Sequence, residues 1–281
     1  MQKRILTIQD VSCVGQCSAT VALPIISACG VETAMLPSAV LSTHTAGFTG
    51  FTVLSMTEEF PKIIDHWKNE KIRFDGVYTG YILKDQIDLV GRICKELNDG
   101  YKIIDPVMAD NGSFYYGFDQ KFADKMAELC FGADVILPNL SEAAFLLGKK
   151  PVIEGYDENY IVCLLKELSA KLSVKRIVLT GVSFEKDKLG VAVFACETQK
   201  TDYYFNKRIE RNFHGTGDIY SSAFVGAFMN GFSTFESAKI AVDFTVEAME
   251  ITIPFADKHP YGVFFESAIK NLTKRIFGGK Q

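Results

Sequence analysis

The chain has no surplus of positive charge: 30 Lys and Arg stand against 34 Asp and Glu, a net charge of −4 over 281 residues. A protein grips nucleic acid by neutralising its phosphates, so this balance excludes nucleic acid as a general partner. Paired cysteines are missing too. The seven, Cys13, Cys17, Cys29, Cys94, Cys130, Cys163 and Cys196, are odd in number, scattered, and form no C-x-x-C. That pattern suits reduced thiols in a cytoplasm and excludes a disulfide frame. It excludes a zinc site as well, because Cys13, Cys17 and His44 have no second ligand pair of matching spacing. No targeting segment stands out. The 21 uncharged residues from Val11 to Val31 are broken by Ser12, Gly15, Gln16, Ser18, Thr20, Pro24 and Ser27, which speaks against a membrane span. Lys3-Arg4 followed by Ile5 to Ile8 is too short an apolar run for a signal peptide. The expectation is a soluble cytoplasmic protein that engages no membrane.

Two phosphate-binding signatures are also absent. No G-x-x-x-x-G-K-[ST] occurs, and no G-x-G-x-x-G follows the first strand, which excludes a Walker-type loop and a dinucleotide enzyme. Gly215-Thr-Gly217 comes near, but Tyr220 fills the third glycine's place. Gly278-Gly-Lys280 has no helix after it and counts for nothing.

What is present is an ordinary globular balance, 48% hydrophobic and 23% charged. Apolar strands alternate with helices along the chain. Strands are expected at Arg4 to Ile8, Val31 to Pro37, Gly76 to Thr79, Lys102 to Asp105, Asp134 to Leu137 and Arg176 to Thr180, with an antiparallel pair at Gly190 to Cys196 and Asp202 to Phe205. Helices are expected at Ser18 to Cys29, Glu58 to Lys71, Asp85 to Asn98, Asp119 to Cys130, Ser141 to Leu147, Glu158 to Leu172, Thr216 to Asn230, Thr234 to Thr252 and Gly262 to Phe277. Ser38 to Thr57, rich in Ser, Thr and Gly without periodicity, reads as a loop. This alternation predicts an α/β fold of three layers, a mainly parallel sheet with helices on both faces. No repeat, low-complexity tract or linker interrupts it, so one domain over residues 1–281 is expected.

Ligands in such sheets bind at the carboxyl ends of the strands. Small and polar residues gather there: Asp10 and Ser12, Ser42 to Thr45, Thr79-Gly-Tyr81, Asp105 to Asp110, Asn139 to Glu142, and Thr180-Gly181. The most informative tetrapeptide is Gly215-Thr216-Gly217-Asp218, which leads straight into an apolar helix. Its glycines let a ligand approach the backbone, and the first N–H groups of the helix are unpaired donors at the positive end of the dipole. Such an anion hole suits a phosphoryl group in transfer, with Asp218 beside it to take a proton from an attacking hydroxyl. The same four residues also read as a glycine turn with Asp218 complementing the dipole.

Gly215-Thr-Gly-Asp218 opening a late helix, with Asp105-Pro-Val107 ending a strand, resembles the ribokinase-like superfamily. Ser42-Thr-His-Thr45, Thr79-Gly-Tyr81 and Pro138-Asn-Leu-Ser-Glu142 narrow the resemblance to its pyridoxal kinase branch, over nearly the whole chain. The resemblance implies ATP-dependent phosphorylation of the 5′-hydroxymethyl group of vitamin B6, with ATP and Mg2+ as cofactors and a monovalent cation such as K+ left open. Asp218 would then be the general base and Gly215, Thr216 and Gly217 the hole for the γ-phosphate. Asp105 and Glu142 would organise magnesium, supported by Asp110 and Asn139. Thr45 and Tyr81 would face the pyridine ring, and Thr180 would lie along the nucleotide. A homodimer is expected on the same ground.

Each assignment has a plainer reading. Asn139 with Glu142 three residues on also forms a capping box, and Asp105-Pro106 also reads as a strand stop. Thr45 also suits a bond to loop backbone, and Tyr81 a rim aromatic. Lys207, Arg208 and Arg211, just before the Gly-Thr-Gly turn, read either as phosphate ligands or as a solvated face. The segment Asp110 to Gly117 is the candidate lid. Asp10 departs from the family, whose better-known members carry Ser directly after Ile-Gln, with Ser12 here two positions later. Asp10 is placed to accept from the ring's 3-hydroxyl or to pair with the amine of pyridoxamine. A hydroxymethylpyrimidine kinase of the same fold is the nearest rival, although that branch usually carries Cys where this chain has Asp218. A sugar kinase fits less well, because Cys13-Val-Gly-Gln-Cys17 offers few sugar-binding groups. A non-catalytic vitamin B6 binder needs neither base nor magnesium, and so would not call for Asp218, Asp105 and Glu142 together.

Overall fold

The computed structural model describes residues 2–259 and 261–278. Gly279 and Lys280 of the terminal tripeptide lie outside them. In chain order the elements are β1 (Arg4–Ser12), α1 (Ala19–Ala28), β2 (Glu32–Leu41), β3 (Val53–Ser55), α2 (Phe60–Asn69), β4 (Phe74–Thr79), α3 (Ile87–Glu96), β5 (Asn98–Ile104), β6 (Ala109–Asp110), β7 (Ser113–Phe114), α4 (Gln120–Cys130), β8 (Val135–Ile136), α5 (Leu140–Leu146), α6 (Glu158–Leu172), β9 (Arg176–Val182), β10 (Lys188–Ala195), β11 (Lys200–Lys207), α7 (Thr216–Met229), α8 (Thr234–Thr252) and α9 (Ile269–Phe277).

A nine-stranded sheet runs in the order β11-β10-β9-β8-β5-β4-β1-β2-β3. Strands β9, β8, β5, β4, β1 and β2 pair in parallel, and antiparallel partners close both edges. Helices cover both faces, as the alternation of apolar strands and helices requires. One core lies under α2 to α6, with Phe60, Val90, Met126, Ala143 and Leu165 buried against it. The other lies under α1, α7, α8 and α9, built on Ile25, Phe224, Phe244 and Leu272. Helix α7 is buried along nearly its whole length, which is why its sequence reads apolar on every side.

Several segments differ from the sequence reading, among them β1, which runs on past Ile8 to Ser12, and the β6–β7 hairpin, which was not expected as strands. The stretch Ser38 to Thr57 is not all loop: β2 continues to Leu41 beside Val11 and Ser12, and Val53–Ser55 adds an antiparallel edge strand. Pairing with a neighbour made these strands, and local composition did not announce it. Strand β5 begins at Asn98, four residues before the expected start. The last helix begins at Ile269, not Gly262, whose backbone stands at φ +155 with the Gln16 side chain against it. The antiparallel pair β10–β11 forms as expected.

The direction of winding places the site. From β1 the chain goes to β2 and β3 on one side, then returns to β4 on the other side. The crevice at such a switch point lies outside the carboxyl ends of β1 and β4, and the loops after β1, β4 and β5 all open there.

Candidate active site

Helix α7 starts from Gly215, whose backbone is left-handed at φ +79. A side chain at this position would meet the Gln16 carbonyl at 2.0 Å and the Cys17 sulfur at 3.3 Å. Only glycine lets the 212–217 turn lie this tightly on the 13–18 loop. Beside Gly217, by contrast, an added methyl would meet nothing within 4 Å, so the start of the helix stays open to a ligand. Asp218 sits in the first turn and its Oδ2 accepts a 2.8 Å hydrogen bond from the Ser18 backbone N–H. Burial raises its carboxyl to about 7, against which the Ser18 N–H works, while the charge of Asp10 adds to the rise. Asp218 can therefore be a proton acceptor near neutral pH, the property a general base needs.

Three further carboxylates converge behind it. Asp10, at the irregularity in β1 pairing between Gln9 and Val11, is buried and accepts from the Ser12 hydroxyl at 3.0 Å. Burial lifts its carboxyl and the Ser18 and Ser12 hydroxyls pull it back. Asp105 follows β5 directly, is buried, and its Oδ2 accepts from Ser221 Oγ at 2.7 Å. Burial raises it far more than that hydroxyl lowers it, and Asp218 raises it further. Glu142 is buried in the first turn of α5, where Oε1 accepts from the Met108 N–H at 3.1 Å and Oε2 from the Asn139 N–H at 2.9 Å. Burial, then the charge of Asp105, pushes it well up. Asn139 returns the favour by capping the Ser141 and Glu142 N–H groups, and its amide donates to the Ala109 carbonyl at 2.7 Å. The capping box is real. It is compatible with a second task, since each Glu142 oxygen keeps a lone pair free.

The other side of the crevice is built by loops. Tyr81 is half-buried against Phe118, with ring centroids 5.5 Å apart, and it feels the charge of Asp10. His44 is the residue that sequence reasoning undervalued. It is buried, its Nε2 lies 3.1 Å from the Tyr261 carbonyl, and its ring packs edge-on to Phe48 and tilted beside His214. Gly15 is left-handed against it, and a side chain there would strike the imidazole at 2.1 Å. Burial holds His44 below the usual imidazole range, so it is neutral at pH 7. Its position inside Ser42-Thr-His-Thr45 was the available signal. Thr45 itself is exposed. Cys17 stands near both Asp218 and Asp10, and burial followed by those two charges pushes its thiol well up. It is a thiol here and no nucleophile.

At the end of β9, Thr180 bridges to Asn139 and its hydroxyl lies 3.4 Å from the Pro138 carbonyl. Asp110 is exposed on the small β6–β7 hairpin, its carboxylate turned to the Asn111 N–H and amide. The basic trio finds other company: Lys207 pairs with Glu250, Arg211 with Asp257 at 2.7 Å, and the Arg208 N–H donates to the Asp187 carbonyl. The structure thus brings Asp10, Ser12, Tyr81, Asp105, Glu142, Gly215 and Asp218 around one crevice, while Lys207 and Arg211 pair with acidic residues at the surface.

The sequence profile of the phosphomethylpyrimidine kinase family matches residues 23–261. The chain belongs to that family. Its sheet and helices superpose with a TM-score of 0.90 on a Bacteroides thetaiotaomicron protein assigned to phosphomethylpyrimidine kinases and crystallised with pyridoxal. The two are 32% identical, with 97% of this chain and 96% of that one covered. Pyridoxal kinase from Lactobacillus plantarum matches over the full length of both chains at 27% identity and a TM-score of 0.90. The hydroxymethylpyrimidine/phosphomethylpyrimidine kinase of Bacillus subtilis is 26% identical over 229 residues, 79% of this chain and 80% of that protein. Against a Saccharomyces cerevisiae relative the match spans 64% of that protein's length. The kinase therefore sits in the pyridoxal kinase branch that its motifs pointed to. Among the described residues no helix is long and apolar enough to cross a membrane.

Proposed function

We propose that this kinase transfers the γ-phosphoryl group of ATP to the 5′-hydroxymethyl group of a vitamin B6 vitamer: pyridoxal, pyridoxamine or pyridoxine. The observation that carries the reading is Asp218. It is a carboxylate held near neutral pKa beside the open amino end of α7, where an alcohol proton is to be taken. The transfer depends on positioning and charge neutralisation more than on covalent chemistry. Asp218 accepts the alcohol proton, and the N–H groups of Gly215, Thr216 and Gly217 meet the charge that gathers on the moving phosphoryl group. Thr45, Tyr81, Asp10 and Ser12 hold the ring. Asp110, Asn139, Thr180 and Lys207 lie along the nucleotide.

The donor set suits magnesium. Asp105 and Glu142 are buried carboxylates that repel each other, and a divalent cation relieves that repulsion. Among the described residues no three acidic, histidine or cysteine side chains form a cage for an ion. Magnesium asks for none, because it keeps waters and substrate phosphates in its shell and uses one or two carboxylates. Asp105 and Glu142 would hold it, and when bound it would neutralise charge on the triphosphate. A single kinase domain, a homodimer and a cytoplasmic location accompany this reading.

A hydroxymethylpyrimidine substrate is the second reading, favoured by the family description and the Bacillus relative. Aspartate at position 218, where that branch usually carries cysteine, supports the vitamin B6 reading. ADP release with pyridoxal, pyridoxamine, hydroxymethylpyrimidine and ribose, each offered alone, decides between them. We expect the highest kcat/KM with a vitamin B6 vitamer. A higher value with hydroxymethylpyrimidine overturns the proposal, and binding of a vitamer without ADP release would mean a carrier.

A further inference from the structure

We propose that Ser221 is a positioning residue for Asp105, fixing which carboxylate oxygen faces the metal. The inference rests on the reading of Asp105 as an organiser of magnesium. Ser221 lies three residues after Asp218 on α7, so the two side chains leave the same face of the helix one turn apart. That face is turned to the sheet, and Ser221 Oγ reaches Asp105 Oδ2 at 2.7 Å with both side chains buried. One helix turn thus delivers the base and a clamp on the neighbouring carboxylate.

The surroundings argue that this contact is more than a satisfied core hydroxyl. Helix α7 otherwise packs through apolar residues of its own, such as Ala223 and Phe224, in one cluster with Ile103 of β5. Into this interface the fold places two more hydroxyls, those of Tyr78 on β4 and Ser222 on α7. Both are fully buried, and neither has a partner of good hydrogen-bond geometry among the described residues. The Tyr78 hydroxyl lies beside Ser221 and Ser222. Buried hydroxyls are ordinarily paired, so a polar layer at a helix–sheet contact is a cost that packing alone does not call for. It backs the Asp105 carboxylate on the side away from the crevice. With Oδ2 held by the Ser221 O–H, the carboxylate plane is fixed. Its Oδ1 accepts no hydrogen bond from the described residues and is left for the ion or its waters. Without the clamp the carboxylate is free to turn.

The test uses the full chain, with Mn2+ as the probe ion and ADP as the nucleotide. Mn2+ binding is read by electron paramagnetic resonance, and KM for the alcohol and half-saturating Mg2+ are read by ADP release. Losing a group that orients a metal ligand typically costs 10–100-fold in metal affinity or activity. We therefore expect Ser221→Ala to weaken Mn2+ binding about 10-fold and to raise half-saturating Mg2+ to match. KM for the alcohol should stay within about 2-fold. Ser221→Thr, which keeps the hydroxyl, should bind Mn2+ as the wild type does. Unchanged Mn2+ affinity in Ser221→Ala, while Asp105→Asn weakens it, overturns the positioning role alone. Unchanged affinity in Asp105→Asn overturns the metal reading and the positioning role with it. Should Ser221→Ala fail to fold, Ser221→Cys takes its place: its weaker S–H donor should give an intermediate affinity, and a wild-type value overturns the proposal.

Discussion

Replacing Asp218 by Asn removes the proton acceptor and keeps the shape, so its effects on rate and on stability should point in opposite directions. The rate should fall by about 10²–10⁴ in kcat, the usual contribution of a positioned base, with KM for both substrates changed little. The stability should rise at high pH. Burial holds the folded-state carboxyl at about 7, against an ordinary value of 3.8. Folding therefore favours the protonated form, and this contribution is fully present below pH 4 and lost as pH climbs through about 7. A preference of that size is worth about 4 kcal/mol for a sealed site. Asp218 keeps a partly exposed edge to the crevice, so about 1–2 kcal/mol is the working figure. A chain of this length loses roughly 0.6 kcal/mol of stability per degree near its midpoint, which converts the figure to a Tm gain of about 2–3 °C for Asp218→Asn at pH 8. The gain should vanish near pH 4. Calorimetric scans at the two pH values, alongside initial rates of ADP release, measure both effects. In the wild type kcat/KM should fall as pH drops below about 7, because the protonated carboxyl cannot accept. A variant with near-wild-type kcat refutes the base assignment. A variant that loses activity and also melts lower at pH 8 refutes the account of a carboxylate strained by burial.

Other substitutions test the frame around the base. Gly215→Ala puts a methyl 2.0 Å from the Gln16 carbonyl at a left-handed backbone; we expect kcat to fall about 10²-fold or more by misplacement of the anion hole, with secondary structure unchanged by circular dichroism. Gly15→Ala drives a methyl into the His44 imidazole and should raise KM for the alcohol substrate more than KM for ATP in initial-rate measurements. Glu142→Gln keeps the side chain's size, but its NH2 must face one of the two N–H donors, Met108 or Asn139, that the carboxylate satisfies. It should cost about 1–3 kcal/mol in urea unfolding and raise the Mg2+ requirement. Asp10→Ala should alter the ratio of pyridoxal to pyridoxamine rates, and an unchanged ratio removes Asp10 from the ring contact.

How much of this was legible in the sequence depends on whether the signal was local. The alternation of strand and helix was, because each parallel strand is an apolar run bounded by a turn, and the Gly215 turn announced itself by two glycines before an apolar helix. The extension of β2 and the edge strand β3 were not, since Val40, Leu41 and Val53 to Ser55 become strands only by pairing with one another and with β1. The partners of the cations were hidden for the same reason. Lys207 and Arg211 precede the anion hole in sequence, yet Glu250 and Asp257, far along the chain, claim them. His44 and Ser221 were in view as letters, but their work depends on which carbonyl or carboxylate the fold sets before them.

The loops of the site are tied to one another and to the helices beside them, and that bears on mechanism. The 13–18 loop is tied to the start of α7 by the Ser18 N–H on Asp218, to Tyr261 by the Gln16 N–H, and to Glu266 by the Gln16 amide. His44 joins the 42–48 loop to the same Tyr261 carbonyl. Base, anion hole and ring wall thus share one hydrogen-bonded frame, and a preorganised frame is what a reaction dominated by positioning requires. The β6–β7 hairpin is held along its length: the Asn139 amide donates to the Ala109 carbonyl, the Gly112 N–H at its turn donates to Ser141 Oγ, Phe114 stacks on Phe145, and the Tyr115 N–H donates to the Met108 carbonyl, while Tyr116, past β7, is fully exposed. Asn139 carries both ends of this arrangement, since its amide holds Ala109 in the hairpin while its N–H donates to Glu142. The hairpin and the buried carboxylate beside it are thus set by one residue, and a change at Asn139 should be felt at both.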